Sequence, residues 1–499
     1  MVGTGTPTVT LGPLDLVVVG TFVAAVLALG FSAKLRENSV LQYLAAGRSL
    51  TLPAFVATLV STWYGGILGI AESVSYFGVG TWVLLGVPYY LFAVAYAVWI
   101  APRVRTADQI SIPERLRDRF GSAPGFVGAL LVFLLAVPAA HVLMLGVLIS
   151  AFTGWTTPVA VVVAAVAGVA LLYRGGLLAD VRVSILAFAM MYIGFGAIAA
   201  FCLTRYPFVE TIGALENKAL LTWDGGNGWP MVLSFFVLGA WTLVDPGFHQ
   251  RVASARNPTV GRRGVLVSAG CWVLFDMLSI TTGLYALALM PPLSETASGI
   301  ERLTIFPAFG EQILPAGLKA IFVCGMLGTI TSAMVGYTLV AGATFGREGI
   351  ARLRPDMTDA HVRRSTQVGL AAAAVIAVAA ALSIESVVAL WYSWAGAMVG
   401  ALILPFLLAY RRRHPGIGPR WVAASMAASA AGALAWMAYG IRTGNPFLTV
   451  QVGESTFSLG TLAPSLAASA VILSIGRTLA IIRDNHGGKR SPAPRVGKP

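Results

Sequence analysis

Apolar stretches long enough to cross a bilayer recur thirteen times between residues 14 and 482, and no other feature limits the fold so tightly. In hydrocarbon every backbone N–H and C=O needs a partner inside the protein, so such stretches must cross as helices or as a closed barrel. Runs this long are helices. Hydrophobic residues make up 57% of the chain and charged residues 11%, more apolar surface than a soluble domain of this length requires. The expected fold class is an all-α polytopic membrane protein with about 13 transmembrane helices. The first stretch, Leu14 to Lys34, lacks a basic leader and a small-residue cleavage site, and reads as a retained helix. Cys202, Cys271 and Cys324 all fall in apolar segments, as reduced core residues do; no disulfide frame, transition-metal site or organic cofactor is expected.

A net charge of +13 invites a nucleic-acid reading, but the placement of the charge argues for topology. All but five of the 34 Lys and Arg fall in alternate connections and the C-terminal tail; the exceptions are Arg205, Lys218, Arg302, Lys319 and Arg442. By the positive-inside rule the basic set is cytoplasmic, which puts the N-terminus outside the cell membrane and the C-terminus inside. No nucleic-acid reading motif accompanies the charge, so no nucleic-acid partner is expected.

Two stretches carry helix-disturbing residues. The second contains STWYGGILGIAE (61–72); the seventh contains FVLGAWTLVDPGFHQ, with Gly239 and then Pro246–Gly247. Membrane backbone leaves helical geometry only where it is buried in protein or lines a cavity. Glycines that merely allow close helix packing explain Gly65–Gly66 taken alone. A matched pair of breaks five segments apart favours inverted repeats whose broken leading helices form a midplane site, as in secondary transporters. The expected organisation is a first helix and inner loop at 1–50 and a ten-helix core at 51–410, with repeats at about 51–204 and 231–410. Two further helices follow at 411–484, then a disordered cytoplasmic tail at 485–499. The outer connections near 205–230 and 291–315 have room for a short helix or lid only.

Once the connections are subtracted, four acids remain in or near the apolar stretches: Asp15, Glu72, Asp245 and Asp276. A carboxylate there needs a partner, a cavity or an ion route. Interfacial solvation accounts for Asp15. Glu72, Asp245 and Asp276 are the candidate proton or coupling groups, with Asp245 placed either at a gate or in an interfacial pair with Arg251. His141 reads as a packing histidine and His249 as an interfacial one. No arginine is expected within the membrane to hold a solute carboxylate bidentately. No metalloprotease, phosphate-loop or nucleophile-elbow motif and no Ser-His-Asp set is present, so an enzyme is not expected. An ATP-driven pump would need a nucleotide-binding domain, for which the chain leaves no room.

Six ordered motifs resemble the sodium:solute symporter family from about residue 42 to 410. YLAAGRSL resembles its first inner loop, TLVSTWYGGILG its first core helix, and SIPERLRDRFG its Ile-Pro-Glu loop. YRGGLLADVR resembles the Gly-Gly entry to the fifth core helix, DPGFHQRVASARNPTVGRRG the Gln-Arg loop, and GLKAIFVCGMLGTITSAMVGYTLVAGATFGRE the eighth core helix. The resemblance implies a LeuT-like 5+5 inverted repeat, here with one extra N-terminal and two extra C-terminal helices. It also implies alternating access, driven by an ion gradient, for symport of a small polar organic solute.

The family's sodium site implies carbonyl ligands from Ser61, Tyr64 and Thr329 and a hydroxyl from Ser332. Oxygen dipoles suit an ion that must exchange its hydration shell. Three positions depart from the family pattern. Ala333 replaces a hydroxyl residue, Val183–Ser184 a Thr-Asp pair, and Val335 a common Asp. Each removes oxygen or negative charge from a cation path, and coupling to protons through Glu72, Asp245 or Asp276 stays open. The solute is expected between the two breaks, against Trp63, Tyr64, Gly65, Gly66, Ile67 and Glu72 on one side and Trp241, Thr242 and Asp245 on the other. Carboxylates on both helices favour an amine-bearing solute, with sugars and carboxylates as the open alternatives. An uncoupled transporter or a transporter-like solute sensor is the rival reading.

Overall fold

The computed structural model describes residues 9–33, 39–107, 109–294, 296–354, 356–412, 415–443, 449–452, 455–458 and 460–486; the expected tail beyond 486 lies outside them. Among these residues twelve helices are long and apolar enough to cross a membrane, and a thirteenth is shorter. In chain order they are α1 (Pro13–Phe31), α2 (Leu52–Phe77), α3 (Trp82–Thr106), α4 (Ser122–Thr153), α5 (Thr157–Tyr173, the short one), α6 (Gly175–Arg205) and α7 (Gly228–Ser254). They continue as α8 (Pro258–Leu289), α9 (Leu318–Leu353), α10 (Asp359–Ser383), α11 (Val387–Ala409), α12 (Pro419–Arg442) and α13 (Leu462–Arg483). The connection after α12 adds a hairpin that the sequence reading did not anticipate, β1 (Thr449–Val452) antiparallel to β2 (Ser455–Ser458). Short helices at Phe208–Gly213 and Ile305–Ile313 occupy the two long connections after α6 and α8.

The centre of the bundle is α6 packed along α9. Glycines bring the two backbones together: a methyl on Gly194 would sit 2.8 Å from the Ile321 carbonyl, and one on Gly325 3.0 Å from that of Met190. Membrane helices gain little from expelling lipid, so close approach through small residues is how they hold. α2 threads this centre with its span mostly buried, whereas α1, α10, α12 and α13 present most of their surface outward.

α5 and α6 are almost continuous. Gly176 turns the chain at φ 51°, ψ −137°, where a side chain would meet the Tyr43 carbonyl at 2.3 Å. Residues 174–182 are therefore helical, and Asp180 lies inside the fold. Gly176→Ala is expected to cost about 1–3 kcal/mol through backbone strain alone, read as a lower apparent Tm in detergent. Gly196→Ala, where a methyl meets nothing within 4 Å, is expected to leave Tm in place.

The Ile-Pro-Glu motif forms a short helix between α3 and α4, Ile112–Phe120, whose N-cap Ser111 accepts the N–H of Glu114. Glu114 takes the Ile110 N–H and a two-pronged contact from Arg347 at 2.9 and 3.0 Å, and the Arg115 guanidinium holds the Ala409 carbonyl. The helix thus clamps the C-terminal ends of α9 and α11. Burial raises the Glu114 pKa, but Arg347, the Ile110 N–H and Arg352 outweigh it and hold the carboxyl below its ordinary 4.5. With the folded value lowered, the clamp's stabilisation is complete above the ordinary 4.5 and is lost as pH falls from there through the folded value. Thermal melts across pH 3–6 should show this loss, and Glu114→Gln should flatten it.

Candidate solute and cation site

Both expected breaks are present, in different forms. In α2 the α-helix Leu52–Trp63 tightens into one 3₁₀ turn, Tyr64–Gly66, and resumes at Ile67. Close approach is what the glycines provide. A methyl on Gly65 would lie 1.9 Å from the Ala333 Cβ and 3.2 Å from the Thr329 carbonyl, and one on Gly66 2.3 Å from Trp391. In α7 the break is complete. The helix stops at Leu238, makes a single turn at Trp241–Val244, and leaves Asp245 extended before Pro246 starts the next segment. Proline lacks the N–H that would continue the ladder, and its fixed φ suits a first helical position. Asp245 caps the new helix by accepting the Phe248 N–H at 2.8 Å.

Between the breaks lies a cavity. Trp63, Trp241, Trp391 and Trp394 form its aromatic walls with Tyr64, Tyr89, Tyr337 and His141. Trp63 is fixed by stacking on Trp272 at 5.0 Å and by edge contacts from Tyr89 and Phe248. The Trp241 Nε1 and His141 Nδ1 are buried without hydrogen-bond partners among the described residues. Asp276 supplies the wall's carboxylate. It accepts the Tyr90 hydroxyl, which in turn accepts the Trp82 Nε1–H, and no cationic side chain among the described residues pairs with it.

Several sequence-based placements change. Gly65, Ile67, Glu72, Thr242 and Asp245 lie outside the cavity walls. Glu72 instead caps the start of α11, accepting the Ser386 hydroxyl and the N–H groups of Val387 and Val388. Asp245 receives the Tyr337 hydroxyl at 2.8 Å and does not pair with Arg251. Asp15 is buried, not interfacial; it accepts the Gly317 N–H and lies 3.8 Å from Lys319, tying α1 to the start of α9. His249 is buried against Tyr410, and His141, read as packing, stacks on Tyr337 at the cavity wall.

Below the cavity the structure brings Ser61 and Ser332 together, with hydroxyls 2.9 Å apart. Ser184 reaches Ser332 at 2.8 Å, and Thr62 does so at 3.5 Å. The expectation of no arginine within the membrane fails here. Arg251 is 1% exposed and donates to Thr62 Oγ1 at 2.7 Å and to Asp180 at 3.0 Å. Asp180, wholly buried, also accepts the Ser184 hydroxyl. On a hydropathy profile the charge of each residue marks the end of a span, which hides both from a reading of the sequence. The signal that would have found Asp180 is its spacing: it lies one helical turn before Ser184, on the same face.

A bundle of broken, inverted five-helix repeats around a central cavity is a secondary active transporter. The sodium:solute symporter family model matches residues 43–410, and the chain belongs to that family; it is a multi-pass transporter of the cation-coupled symport class, not an enzyme. A solved Na+-coupled sialic acid symporter in a substrate-bound, outward-open state superposes with a TM-score of 0.75 at 14% identity, over 94% of this chain and 98% of that one. The nucleobase-cation-symport-1 family transporter Mhp1, in a closed conformation with bromovinylhydantoin bound, does so with a TM-score of 0.55 at 13% identity, over 90% and 96%. These likenesses establish the LeuT-like fold. Among curated proteins none matches the chain in sequence.

Proposed function

We propose that this symporter carries a small amine-bearing or quaternary-ammonium solute into the cell, with Na+ as the coupling ion. The observation that carries the solute class is Asp276, a carboxylate without a cationic partner among the described residues, in a cavity walled by four tryptophans. Aromatic faces attract a desolvated cation, and a buried carboxylate is balanced by one. Among the described residues no Lys or Arg lines the cavity to receive an anionic solute. Trp63, Tyr64, Gly66, Trp241 and Trp391 would contact the solute, and the free Trp241 Nε1 and His141 Nδ1 would serve its polar atoms. The Ser61–Ser332 contact and the Thr329 carbonyl facing Gly65 support placing Na+ at the carbonyls of Ser61, Tyr64 and Thr329 with the Ser332 hydroxyl. The basic connections support an outer N-terminus and a cytoplasmic C-terminus.

Uptake of labelled amines, sugars and carboxylates into proteoliposomes tests this. Concentrative, sodium-driven uptake of an amine is expected; preference for an anionic sugar acid would overturn the solute class. Ala333, with no hydroxyl to offer, favours one second reading, proton coupling through Asp276. Uptake driven by a pH gradient without Na+ would replace the sodium reading.

A further inference from the structure

Arg251 stands where a second cation would bind. Its guanidinium is enclosed by oxygens from four helices: Thr62 of α2, Asp180 of α6, the Gly247 carbonyl of α7 at 3.3 Å and, through hydrogen bonds, Ser184 of α6 and Ser332 of α9. Gly336, one turn after Ser332, leaves the room, since a methyl there would lie 2.9 Å from Arg251 Nη2. Without the guanidinium, the remaining carboxylate and hydroxyls of Asp180, Thr62, Ser184 and Ser332 are a hard-cation oxygen set. The chain supplies the balancing charge itself, and Thr62 links that charge to Ser332, the residue proposed to hold Na+.

We infer that Arg251 is a tethered cation filling an inner cation position, linked to the sodium site through Thr62, so that the protein couples to a single mobile ion. The inference deepens the proposed function. A fixed positive charge beside Ser332 weakens the adjacent Na+ site and bars a second ion from Asp180. The Arg251–Asp180 pair also joins the inner halves of α2, α6 and α7, so it must part or move as a unit when the cavity opens inward.

The test is the sodium dependence of solute uptake in proteoliposomes, with NaCl-dependent thermal shift of the purified protein as a second readout. The unaltered protein is expected to show a Hill coefficient near one. Arg251→Ala exposes the oxygen set; its half-saturating Na+ should fall by about tenfold or more, its Hill coefficient rise towards two, and NaCl raise its Tm more than in the unaltered protein. Asp180→Asn leaves the guanidinium unbalanced and should shift the half-saturating Na+ upward by a similar factor. The double variant Arg251→Ala/Asp180→Asn removes both buried charges, so it is the one best able to fold; it should return to a Hill coefficient near one. Arg251→Lys keeps the charge and should keep the original curve.

A Hill coefficient of two in the unaltered protein, or an unchanged sodium curve in Arg251→Ala, would overturn the inference. So would shifts of the same sign in Arg251→Ala and Asp180→Asn. If the unaltered protein needs no sodium but Arg251→Ala acquires a need for it, the inference stands and the proposed sodium coupling falls. If both lack sodium dependence, both fall.

Discussion

Asp276→Asn is expected to abolish uptake of the amine solute while the protein keeps its fold and its response to sodium. The carboxylate is 6% exposed, faces the cavity and has no cationic partner among the described residues. When a bound ammonium loses such a partner the cost is typically 2–5 kcal/mol, which weakens binding by about thirtyfold to several thousandfold. Asparagine keeps the size and an oxygen that can still accept the Tyr90 hydroxyl, so the wall itself should hold. Two measurements separate binding from folding. Quenching of the cavity tryptophans gives the solute Kd, which should rise by the stated factor. An apparent Tm within a few degrees of the original shows that the loss is local. An unchanged Kd would assign Asp276 to the bundle's internal hydrogen bonding and remove the basis for an amine solute.

The class of fold and the position of the breaks were legible in the sequence because hydrocarbon leaves a chain few options. Length and apolarity dictate spanning helices, and Gly65–Gly66 and Pro246–Gly247 have no place in an ordinary span. Individual partners were less legible. Glu72 and Asp245 precede or end helical segments, and a short-range reading cannot tell a carboxylate that caps a helix from one that faces a solute. Both cap; Asp276, the one with no cap to make, faces the cavity. Asp180 and Arg251 were misplaced for another physical reason. A positive charge ends a span on a hydropathy profile, yet a guanidinium can lie well inside if a carboxylate from another helix neutralises it. Such a pairing depends on tertiary contact between residues 71 positions apart.

Glu72→Ala should do the reverse of Asp276→Asn, lowering stability while leaving solute affinity within about threefold. The Glu72 carboxylate receives the Ser386 hydroxyl and the N–H groups of Val387 and Val388 at 3.0 and 3.2 Å, at the N-terminus of α11. A helix start carries positive partial charge and unpaired N–H groups, so a buried carboxylate is well suited to it. Truncation strands those donors where no water reaches, at a cost of about 3 kcal/mol or more. Apparent Tm in detergent should fall accordingly, and Glu72→Gln, which retains one accepting oxygen, should fall less. Trp391 sits one turn beyond this cap and packs on Gly66 and Gly69. A looser α11 should therefore also slow turnover by letting the outer wall of the cavity drift from α2. The pH dependence of uptake decides between clip and coupling group. A proton-carrying Glu72 would give Glu72→Gln a flattened pH profile at full stability, whereas a clip leaves the profile's shape intact and lowers only its amplitude.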